Sequence, residues 1–170
     1  LTEATTMQPC NHSRQPPNGF SLIELLVVVA MVSILASIGL PLAELAHRRT
    51  QEEELRQSLR QIRSALDAHK KATDAGQIVR QVNASGYPPS LDVLVTGVVD
   101  AQSPRGSKLF FLRRLPRDPF APEEIGDAAQ TWGLRSYEST AEDPKPGKDV
   151  FDIYSKSEGA GMNGVPYRKW

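Results

Sequence analysis

Cysteine is all but missing. Cys10 stands alone, so no intramolecular disulfide can form, and an exported domain of this sequence must fold by packing, a metal or a partner. Aromatic residues are sparse, at 6 % of the 170 positions. An excess of either charge is also lacking, because twenty Lys and Arg balance twenty Asp and Glu. That balance excludes the broad basic footprint of a nucleic-acid binder. His12, His47 and His69 show no metal-ligand spacing and read as solvated side chains. The sequence has no Ser-His-Asp arrangement and no phosphate-cradling glycine loop, which speaks against an enzyme. Internal repeats and long low-complexity tracts are missing too.

What is present is unevenly spread. From Phe20 to Leu40, 16 of 21 positions are F, L, I, V, A or M. A helix over this run measures about 32 Å, close to the ~30 Å hydrocarbon core of a bilayer. Residues 1–19 before it are polar, contain Pro16-Pro17 and read as a disordered leader. Met7 is a candidate start within that leader, with residues 1–6 as an upstream extension. After the run, Leu55, Leu59, Ile62 and Leu66 share one face of an amphipathic helix over 42–72. Glu52–Arg56, Arg63–Asp67 and Asp67–Lys71 are opposite charges at i,i+4 and suit a solvated opposite face. Asp74-Ala75-Gly76 supplies a stop, with Gly76 free to take a left-handed cap. The expectation is one long helix over 21–72 with a weak point at Pro41, which lacks an N–H and crowds the carbonyl of Ser37. The alternative is two helices joined by a short turn.

Residues 77–170 alternate between strand-like and turn-rich pieces. Pro88-Pro89-Ser90 before Leu91, Leu94 and Val95 reads as a short capped helix. Lys108–Leu112, Thr131–Tyr137 and Val150–Tyr154 are strand candidates, separated by Pro116-Arg117-Asp118-Pro119 and Asp143-Pro144-Lys145-Pro146-Gly147. Three short strands bury no core alone, so they must pack on the apolar stripe of the long helix. The fold class is α+β: a long N-terminal helix, membrane-spanning in its first half, packed on a small antiparallel sheet.

The junction Gly19-Phe20-Ser21-Leu22-Ile23-Glu24 carries the most specific signal. A carboxylate inside an apolar run is selected against unless it serves a purpose. This pattern resembles the processing signal of type IV pilins and type II secretion pseudopilins. An ordinary signal peptide is cut after its apolar region; here the cut would fall before it. The resemblance implies that a prepilin peptidase cleaves between Gly19 and Phe20 and that the new Phe20 amine is methylated. It divides the chain into a leader (1–19), a transmembrane and assembly half-helix (20–41) and a periplasmic domain (42–170). In an assembled filament, Glu24 would pair with the Phe20 amine of a neighbouring copy; pairing within its own chain is the alternative. Pro41, in similar helices, marks a segment that loses helicity on assembly, the alternative being a simple kink.

The C-terminal part is similar to the major pseudopilin in three places. These are Tyr87-Pro88-Pro89-Ser90-Leu91, Leu115-Pro116-Arg117-Asp118-Pro119-Phe120, and Asp149–Ser155 with Gly164 and Trp170. Members of that family carry an Asp-rich calcium loop near the end, and here the sequence departs from them. Residues 155–164 hold one carboxylate and one Lys. Calcium takes six to eight oxygens, usually with several carboxylates. Ser155, Glu158 and Asn163 with backbone carbonyls are the candidates for a weak calcium site, which Lys156 opposes. If no ion binds, packing of Val165, Tyr167 and Trp170 is expected to pin the loop. No other cofactor is expected.

The resemblance implies a non-enzymatic subunit of the type II secretion pseudopilus that polymerises through its N-terminal helix to drive export across the outer membrane. Its partners would be the peptidase, further copies of itself, other pseudopilins and an inner-membrane assembly platform. The alternatives are a type IV pilin, used in adhesion or DNA uptake, or a minor pseudopilin at the filament tip. Loss of Cys10 on cleavage counts against a disulfide-closed surface pilin, and Glu24 counts against a tip role. Inner-membrane anchoring with a periplasmic C-terminal domain is also implied by resemblance alone. Arg14 before the run and Arg48-Arg49 after it would by themselves suggest the reverse orientation.

Overall fold

A computed structural model describes residues 19–170, with the backbone only at 38–41. The leader, with Met7, Cys10, His12, Arg14 and Pro16-Pro17, lies outside the described residues. Helix α1 is assigned over Leu22–Asp74, through Pro41, so the turn between two helices is not seen. The chain divides into two units, Leu1–Ala43 and Glu44–Trp170.

In the first unit the side chains described from Phe20 to Ser37 are all exposed, which for a run this apolar means that lipid or another helix must cover them. The helical part, Leu22–Ala43, is about 33 Å long at ~1.5 Å per residue, enough to cross a bilayer. It is the candidate membrane span of the described residues.

In the second unit, the predicted stripe forms the core. Leu55, Leu59, Ile62 and Leu66 of α1 are buried with Leu91, Leu94, Leu112, Trp132, Val150, Ile153 and Tyr167. Burying a side chain of the Leu, Ile or Val kind contributes about 1.5–3 kcal/mol, so this stripe is the main anchor of the sheet layer. Helix α1 stops where expected. Gly76 takes φ +75°, its N–H donates to Thr73 O, and Gln77 N–H donates to Ala72 O, a Schellman closure that satisfies the last carbonyls.

Beyond α1 lie α2 (Asp92–Thr96), β1 (Val98–Val99), β2 (Lys108–Leu109), α3 (Ala128–Thr131), β3 (Trp132–Arg135), β4 (Asp152–Ser155) and a 3-10 turn at Tyr167–Lys169. The expected short helix is present one residue late, beginning after Leu91, and without a side-chain cap from Ser90. The strands form two antiparallel pairs, β1–β2 and β3–β4. Strand β1 was not anticipated, and the candidate at 108–112 is cut to two residues. The reason is a change of partner: the N–H groups of Phe111 and Leu112 both donate to Leu94 O (3.1 and 2.9 Å), so the chain leaves β1 to close the end of α2. In the second pair Trp132 faces Ser155 and Leu134 faces Ile153, while Gly133 lies opposite Tyr154. Any Cβ at Gly133 would overlap the Tyr154 ring, so the close approach of these strands requires glycine there.

Several expected charge placements change; among the described residues Asp67 pairs with neither Arg63 nor Lys71. Arg63 does not pair along the helix with Asp67; its Nε donates to Asp152 Oδ1 (2.8 Å) and its Nη2 to the main-chain oxygens of Ile153 and Trp170. His69 is not solvated. It is 4 % exposed, tilted against Phe111, with its Nδ1 3.2 Å from Gly86 O. Since a carbonyl only accepts, that nitrogen carries the proton. Burial holds the His69 pKa below its ordinary value, partly offset by this hydrogen bond.

Candidate processing and assembly site

Gly19 and Phe20 are exposed and non-helical, and the space where a Gly19 Cβ would sit is open. A peptide bond in such a segment is open to a protease. The helix starts immediately after it because Ser21 caps it. Ser21 Oγ accepts from Glu24 N–H (3.2 Å) and Ser21 O from Leu25 N–H (3.1 Å). Ser21-x-x-Glu24 is the sequence form of a capping box, a signal present in the sequence that the motif reading passed over. A carboxylate in the first turn also faces the positive end of the helix dipole. Glu24 is exposed and makes no ion pair among the described residues, so its charge has no partner inside the described chain.

Farther along the span the polar groups are internally satisfied. Ser33 Oγ donates to Val29 O (2.7 Å) and Ser37 Oγ to Ser33 O (2.8 Å), so neither hydroxyl needs a lipid-side partner. Glu24 is then the one ionisable side chain between Phe20 and Ala43. Pro41, in the last turn of this unit, supplies no N–H to the Ser37 carbonyl, leaving one backbone acceptor of the span without its helical donor.

At the other end of the chain, the Leu115–Phe120 piece is more than a rigid double-proline turn. Asp118 is 1 % exposed, accepts from Ser155 Oγ (2.6 Å) and Phe120 N–H (2.8 Å), and thereby ties this turn to the end of β4. Trp132 Nε1 donates to Pro116 O (2.9 Å), and Phe120 stacks on Tyr167 at 4.3 Å. The Tyr87 ring meets Phe151 edge-on at 5.0 Å, while Pro88 O accepts from Val150 N–H. Each of the three C-terminal segments singled out in the sequence therefore docks another segment of the same unit.

The residues proposed for a weak calcium site have separate engagements. Ser155 is fully buried and donates to Asp118, Asn163 Oδ1 accepts from Val165 N–H (3.0 Å), and Glu158 is exposed. Among the described residues no three His, Cys, Asp or Glu side chains converge as a metal site.

Comparison with known proteins bears on both ends. The family described as "Prokaryotic N-terminal methylation motif" matches residues 16–40, the segment with the Gly19–Phe20 bond, the cap and Glu24. The Type II secretion system core protein G of Klebsiella michiganensis is 25 % identical over 140 residues, covering 80 % of this chain and 91 % of the relative. Similarity that extends over most of both chains carries the likeness past the shared N-terminal motif into the folded unit. The chain is thus similar to a type II secretion pseudopilin at its N-terminal motif and along most of its length. No solved structure matches it.

Reasoning from the sequence missed Glu52, placed on the solvated face by its i,i+4 pairing with Arg56. That pair exists, at 3.9 Å, but Glu52 itself is 4 % exposed. The signal was present: positions 52, 55, 59, 62, 66, 69 and 73 follow a 3-4 alternation, so Glu52, His69 and Thr73 lie on the same buried stripe as the leucines.

Proposed function

We propose that this protein is a structural subunit of the type II secretion pseudopilus, similar to the major one, and does no chemistry of its own. A prepilin peptidase cuts between Gly19 and Phe20, and the new amine is methylated. The mature chain waits as a single-pass inner-membrane protein with its Glu44–Trp170 unit in the periplasm. An inner-membrane assembly platform then adds it, with other pseudopilins, to a filament whose core is made of the N-terminal helices. Growth of that filament pushes cargo across the outer membrane.

One observation carries this reading. An apolar half-helix whose described side chains are all exposed, with one carboxylate unpaired among the described residues, begins two residues after an open Gly-Phe bond, and the same helix continues as the spine of a separate folded unit. Such a helix is suited to move from lipid into a bundle of identical helices, because both surroundings cover the same apolar surface. Glu24, without an ion-pair partner among the described residues, is available for the Phe20 amine of another copy.

The test is coexpression with a prepilin peptidase, followed by N-terminal sequencing and mass measurement. The expected product begins at methylated Phe20, and Gly19→Trp remains uncut yet membrane-inserted, since the apolar run is unchanged. An intact leader on the unsubstituted chain under those conditions would overturn the reading.

A further inference from the structure

The segment from Ser155 to Val165 joins β4 to the last turn. Its family resemblance brings the expectation of a calcium ion, but its oxygens do not fit one. Gly159 O accepts from Tyr167 N–H, Ala160 O from Arg48 Nη2 (2.6 Å), Gly161 O from Gly164 N–H, and Val165 O from Gly161 N–H. Ser155 Oγ is spent on Asp118, and Ser157 Oγ accepts from Gly159 N–H. A hard cation needs six or more free oxygens and several carboxylates. Here the Gly159, Ala160, Gly161 and Val165 carbonyls and the Ser157 and Asn163 side-chain oxygens already accept from internal donors, one of which is itself a cation, and Glu158 is the loop's one carboxylate.

We infer that the loop is locked onto α1 by an ionic clamp built on Glu52, which does the work of a divalent ion and makes the folded unit indifferent to calcium. Glu52 Oε1 accepts from Met162 N–H (2.9 Å) and from Tyr167 Oη (3.1 Å), groups at the two ends of the loop's final bend. One helical turn earlier, Arg48 takes the Ala160 carbonyl, as a metal would, and its Nε lies 3.4 Å from Tyr167 Oη and 3.8 Å from Glu52 Oε1. One turn later, Arg56 approaches Glu52 Oε2 at 3.9 Å while its guanidinium lies 4.4 Å over the Trp170 ring. Trp170 in turn packs so closely on Gly161 that a Cβ there would clash with it.

The physical logic is substitution of charge. A bound cation orders a loop by gathering carbonyls that would otherwise repel one another. Arg48 gathers the carbonyl, and Glu52 supplies the anion that collects the loop's amide and hydroxyl donors. A carboxylate as buried as Glu52 is costly unless it is paired and hydrogen-bonded. Two flanking arginines and two donors meet that requirement without a ligand from solvent. The i−4, i, i+4 spacing of Arg48, Glu52 and Arg56 puts all three on one strip of α1, so the helix arrives with the clamp preassembled.

The experiment uses the full processed chain in detergent, with millimolar calcium or with EGTA. It reads thermal unfolding by tryptophan fluorescence, tryptic cleavage within the loop, and radioactive calcium uptake by equilibrium dialysis. The unsubstituted chain should melt within about 1 °C in both buffers, because stability gained through a ligand requires a bound ligand. It should also keep its loop uncut and take up no stoichiometric calcium. Glu52→Ala should melt roughly 5–10 °C lower, on the scale expected for stranding the buried Tyr167 hydroxyl and the part-buried Met162 amide, with the loop cleaved in either buffer. Should Glu52→Ala not accumulate, Tyr167→Phe removes one of those donors while keeping the ring, and should show a smaller, equally calcium-independent drop. A rise of several degrees on adding calcium, stoichiometric uptake, or variants that melt like the parent would each overturn the clamp. None of these readouts involves filaments, so failure here leaves the proposed function standing.

Discussion

Replacing Asp118 tests whether the Leu115–Phe120 turn is a structural keystone or a simple corner. Its carboxylate is 1 % exposed and accepts two hydrogen bonds, from Ser155 Oγ at 2.6 Å and from Phe120 N–H at 2.8 Å. Hydrogen bonds to charged groups contribute about 1.5–3 kcal/mol each, and a donor left unsatisfied in the interior costs the desolvation that the bond had offset. Ser155 is fully buried, so water cannot replace the lost acceptor without opening β4. Asp118→Ala should therefore cost about 3–5 kcal/mol, a large share of the roughly 5–15 kcal/mol that holds a domain together. Asp118→Asn is the informative contrast. Its carbonyl oxygen can still receive Phe120 N–H, and its amide can donate to Ser155 Oγ, leaving only the serine hydrogen without an acceptor. That change should cost about 1–2 kcal/mol. At roughly 3–5 °C per kcal/mol for a unit of this size, the melting temperature should fall by about 10–20 °C for Ala and about 5 °C for Asn. Circular dichroism melts of the processed chain in detergent measure both. An Ala variant within about 3 °C of the parent, or an Asn variant as unstable as Ala, would refute the keystone role.

Glu24→Ala should still be processed and inserted, because a carboxylate near the membrane surface adds nothing to insertion, but it should fail to form pelletable filament or support export. Stranding the Phe20 amine in a dry bundle costs about 3–5 kcal/mol per added subunit, more than a hundredfold in association; normal filaments would exclude the counter-ion model. His69 gives a pH signature. Because burial lowers its folded pKa below the ordinary 6.5, the unfolded chain binds the extra proton first. Stability is then complete above that value and falls as pH drops through and below it. Melts at pH 7.5 and pH 5 should show this decline, and it should be shallower in His69→Gln; an equal decline in both would assign it to other groups.

Much of this protein was legible in its sequence because the relevant physics is local. The span from Phe20 needs only enough consecutive apolar residues to match a bilayer, and the cap at Ser21 needs only a hydroxyl three residues before Glu24. The 3-4 alternation through Leu55, Leu59, Ile62 and Leu66 fixes a buried face whatever comes to cover it, and the φ of Gly76 follows from the need to end a helix. The same alternation even marks positions 52 and 69 as interior, although their polar side chains argued for solvent. What it could not state is who meets them there. Glu52 finds its donors at Met162 and Tyr167, 110 and 115 positions away, and Asp118 finds Ser155 across 37. Arg63 abandons a neighbour on its own helix for Asp152 on β4. The strand at Val98–Val99 exists because β2 lies beside it, and β2 ends because Leu94 offers a better acceptor. A charge or an amide has no preferred partner until the chain brings one within hydrogen-bonding distance. Those choices are settled by packing, where leaving a buried group unpaired costs more than any local preference.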